Sequence, residues 1–187
     1  MLIILFDSQG VVHKEFLPGG KRVNAEFYKG VMDRFLKRIQ RVRRAEFCSR
    51  DCFLLHDNAP DHQAVSFRQF LTPKNVTTFY HLPYCPDLSP PDYFLFSKLK
   101  MNLKGLHLAD VAEIQAAVTD ELKKVQTEEF SAPFQKLYGR AKACIYAKVA
   151  YFELKSYVSS IFKEISPNTF GPHYVHLTVT VRSGHRC

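Results

Sequence analysis

No run of apolar residues in this 187-residue chain approaches the roughly 20 needed to cross a bilayer, so no membrane partner is expected. The opening MLIILF stops after six residues at Asp7 and reads as a buried strand, not a signal peptide. Internal repeats and low-complexity tracts are missing, and tryptophan is absent. Cysteine is too scarce and too irregular for a disulfide framework. There are five, Cys48, Cys52, Cys85, Cys144 and Cys187, an odd number with no secretory signal before them. Reduced thiols in the nucleus or cytosol account for them. Cys48 and Cys52 with His56 and His62 match no common zinc spacing.

What is present fits one globular domain with a full core, at 46% apolar residues. Lys and Arg number 26 against 18 Asp and Glu, a net charge of +8. Residues 1–50 alone hold 11 basic and 5 acidic side chains, most of the surplus. Such a balance points to a polyanionic partner or to a solvated basic surface.

Along the chain, 2–7 and 11–16 read as a hairpin turned at Ser8-Gln9-Gly10, with a third short strand near Lys21–Val23. Asn24 is an N-cap for a helix whose face is Tyr28, Val31, Phe35, Ile39 and Val42. Cys52–His56 reads as a buried strand, 62–71 as a helix and Val76–Leu82 as a strand. Pro83, Pro86, Pro90 and Pro91 then hold an irregular loop, and Asp92 opens a helix ended by Gly105. Asp110 and Glu113 form a capping-box-like pair before the face Val111, Ile114, Val118, Leu122 and Val125. A last helix begins near Ser131, with Phe134, Leu137, Tyr138, Ala141 and Ile145 on one face. Strands alternating with helices after an initial hairpin predict an α/β fold, a mixed sheet flanked by helices. Residues 154–187 stand apart as a divergent tail, where Val175, Leu177, Val179 and Val181 alternate as in an isolated strand. That strand is expected to be flexible or loosely added to a sheet edge.

Three acids sit at predicted strand ends or loop edges: Asp7, Asp57 and Asp92. Carboxylates in such a set suit hard divalent ions, and a pair of ions clamps both oxygens of an in-line phosphoryl displacement. Asp is equally common as a turn and cap residue. The flanking words decide between the two. FDSQGVVHKEFLPGG (6–20), VNAEFYKGV (23–31), LLHDNAPDHQA (54–64) and NVTTFYHLPYCPDLSPPDYFLFSKLKMNLKG (75–105), with 34 residues between Asp57 and Asp92, resemble the catalytic domain of mariner-family DNA transposases. The resemblance runs from residue 1 to about 153.

The resemblance implies a ribonuclease H-like fold over 1–153, with 154–187 unassigned. It implies Asp7, Asp57 and Asp92 as catalytic and metal-binding residues with two Mg²⁺ or Mn²⁺ ions. The activity would be DNA strand cleavage and strand transfer, in the nucleus. His56, Asn58 and His62 would lie beside the metal or the DNA. Lys14, Lys21, Arg22, Lys98, Lys100 and Lys104 would face DNA or remain a solvated surface. A homodimer is implied too, although the helix-turn-helix region and the linker that helps pair subunits are not in the match. Leu5-Phe6 stand where the family often has Trp-Trp, Ala141 where it has Trp after the Arg, and Asp61 and Gln63 where Ser and Thr are common. A truncated copy of weak or lost activity is therefore expected, with a non-enzymatic DNA-binding or protein-interaction module as the alternative.

Overall fold

A computed structural model describes residues 1–18, 23–44, 52–56, 65–74, 76–80, 88–146 and 175–182. The element order is β1 (Leu2–Asp7), β2 (Gly10–Phe16), α1 (Ala25–Val42), β3 (Cys52–His56), α2 (Val65–Leu71) and β4 (Thr77–Tyr80). A π-helical segment, Pro91–Phe96, then runs into α3 (Ser97–Leu103), followed by α4 (Val111–Lys124), α5 (Thr127–Tyr146) and β5 (Val175–Arg182). The strands form one five-stranded sheet in the order β2-β1-β5-β3-β4. The mixed α/β architecture is the one expected.

The hairpin forms because Asp7 and Gly10 make its turn. The Asp7 carboxylate accepts the Gln9 N–H at 2.8 Å, an Asx turn, and Gly10 takes φ 131°, which a side chain rarely adopts. Leu5 pairs with His13 and Phe6 with Val11, so Val12 is the extra residue of a bulge. Alternation along β1 then divides the core. Ile3 and Leu5 pack with Tyr28, Val31, Phe35 and Ile39 of α1. Ile4 and Phe6 pack with Leu95, Leu99, Leu122, Phe130 and Phe134 on the other face. The Phe6 ring lies 5.7 Å from both the Phe130 and Phe134 rings.

Helix α1 follows its sequence face except at the end. Asn24 caps it, accepting the Phe27 N–H at 2.8 Å, but Val42 is 42% exposed, because the helix outruns the sheet it covers. The same happens at the start of α4, where Val111 and Ile114 are exposed while Val118 and Leu122 are buried. The Asp110 carboxylate accepts the Glu113 N–H, and Glu113 accepts the N–H of Ala109, not of Asp110. Helix α5 starts at Thr127, four positions before the expected Ser131, and brings Phe130 into the core. The expected strand near Lys21–Val23 lies largely outside the described residues, and Val23 is not in a strand.

The largest departure is β5. It is not at an edge: it pairs antiparallel with β1 and parallel with β3, an interior position of the sheet. Its alternation predicted a strand. Nothing local could place that strand, because the register is made by partners more than a hundred residues away.

Candidate active site

Asp7 ends β1, 1% exposed, on the face that α1 covers. Residue Arg43 follows α1, its N–H bonded to the Ile39 carbonyl at 2.8 Å. Its guanidinium donates to the two Asp7 oxygens at 2.9 and 3.4 Å. With Gln9, both carboxylate oxygens are engaged. A two-pronged Arg–carboxylate contact out of water is among the stronger polar contacts in a protein. Arg43 belongs to a basic run, Lys37, Arg38, Arg41, Arg43 and Arg44, that complements the negative end of the helix dipole. The sequence held no signal that Arg43 would turn inward.

Asp92 lies on the opposite face, in the first turn of the π-helical segment, half-buried. Its N–H bonds to the Ser89 carbonyl at 2.9 Å, and its own carbonyl accepts the Ser97 hydroxyl at 2.7 Å. A carboxylate is favoured at a helix start, and π-helical turns recur at functional sites. The segment is pinned by its neighbours. The Tyr93 hydroxyl donates to the Pro133 carbonyl at 2.7 Å, the Tyr93 ring lies 4.2 Å below Arg140, and Phe94 meets Phe130 edge-on at 5.6 Å. Burial pushes the Tyr93 phenol well above its ordinary range, so it stays a neutral donor.

Asp7 is held from the α1 side, whereas the segment that carries Asp92 packs in the other core layer. Register sets Asp7 against the end of β3. Ile4 pairs with Thr180, and Val179 pairs with His56. At about 3.3 Å per residue and 4.8 Å per strand, Asp7 stands roughly 12 Å from the end of β3. Asp57, which follows that end, lies outside the described residues, as do Asn58, His62, Lys21 and Arg22. Only the backbone of His56 is described. Among the described residues no three of His, Cys, Asp and Glu gather as a metal set.

The candidate DNA-facing lysines divide. Lys98 is paired with Glu129 of α5, which holds that carboxyl below its usual range. Lys100 and Lys104 are exposed. Lys14 reaches Thr119 of α4 at 2.5 Å and lies over the Phe16 ring. Burial, and then Lys123, lower its pKa. Leu5 and Phe6, where the family often has Trp-Trp, are fully buried, one in each core layer. They are packing positions and say little about catalysis.

A family profile described as "Transposase (partial DDE domain)" matches residues 1–47. The chain is 28% identical over 153 residues to histone-lysine N-methyltransferase SETMAR of Homo sapiens, covering 82% of this chain and 22% of that protein. It is 29% identical over 155 residues to the Mariner Mos1 transposase of Drosophila mauritiana, covering 82% and 45%. It therefore spans less than half the length of these relatives. A solved structure of the Mos1 catalytic domain with raltegravir and Mn superposes with a TM-score of 0.74 at 29% identity, covering 81% of this chain and 76% of that one. A pre-cleavage Mos1 transpososome superposes with a TM-score of 0.74 at 29% identity, covering 81% and 44%. With the fold, the flanking words and the aligned span in agreement, the chain is a homologue of the mariner transposase catalytic domain.

Proposed function

We propose that this chain acts on DNA in the nucleus as a mariner-type catalytic domain, cutting a strand and joining the freed 3′-hydroxyl to a target. The observation that carries the reading is the likeness to a catalytic domain solved with Mn, aligned over a span that includes the words around Asp57 and Asp92. Asp92 fits a hard ion: a half-buried carboxylate on a braced turn. Its helix contacts β5, the strand beside β3, and Asp57 follows β3 directly. Asp57 and Asp92 are therefore the pair we assign to Mg²⁺ or Mn²⁺, with His56, Asn58 and His62 beside them. Asp7, engaged by Arg43, joins them only if Arg43 releases it.

The ions, when bound, would activate the attacking oxygen and stabilise the leaving one. The chain's own part is positioning and charge neutralisation, with no covalent protein intermediate. A homodimer and the transpososome known for Mos1 are proposals for this chain, since it spans under half of that protein. Activity is expected to be low. The engaged Asp7 favours a second reading, a DNA-binding module that does no chemistry.

Plasmid nicking separates the two. Mn²⁺-dependent nicking by the wild type, lost in Asp57→Asn and Asp92→Asn, supports the enzyme. Duplex binding with no nicking at any Mn²⁺ concentration supports the module.

A further inference from the structure

The edge strand β2 borders a cleft of about 470 Å³ whose lining does not include Asp92. Its charged or ionisable liners are Lys14 and His13 of β2, Arg38 of α1 and Lys123 of α4, with no carboxylate among them. Two neighbouring acids are already paired: Glu15 meets Arg34 at 2.6 Å and His13 at 3.3 Å, and Asp120 meets Lys123 at 3.0 Å. Among the described residues Arg38 has no ion-pair partner. Lys14 and Lys123 repel one another, and burial lowers the His13 pKa against the opposing pull of Glu15, with Arg38 and Arg34 adding to the lowering. Cations gathered in a groove suit an anion with several acceptor oxygens.

We propose that this cleft is a second seat for nucleic acid, taking backbone phosphates between Arg38 on one side of β2 and Lys14 and Lys123 on the other. The choice of nucleic acid over an acidic protein segment rests on the function proposed above. The cleft adjoins the helix of Asp92 through one side chain. Phe130 lines the cleft, and its ring meets Phe94, two residues after Asp92. A duplex or flanking strand held here would be fixed relative to that helix. Such contacts position a strand and read no sequence.

The test is binding of a short fluorescent duplex of random sequence, in EDTA, across a salt series. Arg38 and Lys123 are exposed, so Arg38→Ala with Lys123→Ala is expected to fold normally. Each lost phosphate contact lowers the slope of log K on log salt by about 0.9, so the double variant should lose about 2 from the slope. Lys37→Ala with Lys124→Ala removes the same charge from the same two helices at positions that do not line the cleft and should leave the slope unchanged. An equal drop in both double variants, no drop in the first, or no duplex binding by the wild type overturns the proposal. So does poly-glutamate competing as well as duplex at equal charge. The functional reading is judged separately by nicking: a chain that nicks while its cleft variant binds like wild type keeps that reading and loses this one.

Discussion

Arg43 and Asp7 show how much one contact can redirect an assignment. The sequence identified Asp7 as an acid at the end of a buried strand, and the structure bears out that placement. The partner was invisible, because it sits 36 positions away at the end of a basic run whose other members have no reason to turn inward. Removing one side of a buried pair strands the other charge and typically costs about 3–5 kcal/mol. Arg43 is partly solvated, so Arg43→Ala should destabilise the fold by about 3 kcal/mol, the low end of that range. A urea titration should show it as a lower midpoint at unchanged slope. A shift within about 0.5 kcal/mol, the size of an ordinary surface substitution, would show that the contact holds nothing.

His13 gives a pH signature at the same scale. Burial lowers its folded pKa below the ordinary 6.5, so the folded state binds its proton more weakly than the unfolded chain. Stability is then fully present above about pH 6.5 and falls as pH drops from there toward the lowered value. His13→Asn should flatten that part of the melting-temperature profile. Equal profiles for the two proteins between pH 7 and 5 would remove His13 as the cause.

At the scale of elements, local signals held where local physics decides. The N-cap at Asn24 and the hairpin turned at Ser8-Gln9-Gly10 were readable from residue type and spacing. Helix ends were less so. Val42, Val111 and Ile114 keep the helical period but overhang the sheet, and periodicity does not report where a partner stops. β5 was beyond local reading altogether. Between β1 and β3 it satisfies both of their edges, and without it two unpaired edges would open in the middle of the sheet. A chain ending at residue 153 should therefore lose cooperative unfolding or aggregate, and proteolysis should not leave a stable core there. A 1–153 fragment that melts cooperatively near the full-length temperature would show that β5 is dispensable. Phe6, fully buried between Phe130 and Phe134, tests the opposite layer. Phe6→Ala should cost about 3–5 kcal/mol, read by the same urea titration.

For the molecule as a whole, the sequence carried the family through whole words and their spacing, while composition offered only a basic surplus. Among the described residues that surplus includes Arg43 turned inward on Asp7, Lys98 paired with Glu129, exposed Lys100 and Lys104, and Arg38, Lys14 and Lys123 at a cleft. Among the described residues no helix is long and apolar enough to cross a membrane. The central claim is that Asp57 and Asp92, without Asp7, hold the divalent metal. It is tested most directly by titrating Mn²⁺ into wild-type protein and following free Mn²⁺ by its paramagnetic resonance, with Asp7→Asn, Asp57→Asn and Asp92→Asn alongside, each checked for folding. The account predicts weak binding that is lost in Asp57→Asn and in Asp92→Asn and retained in folded Asp7→Asn. Binding unchanged in Asp57→Asn and Asp92→Asn, or lost in a folded Asp7→Asn, would contradict it.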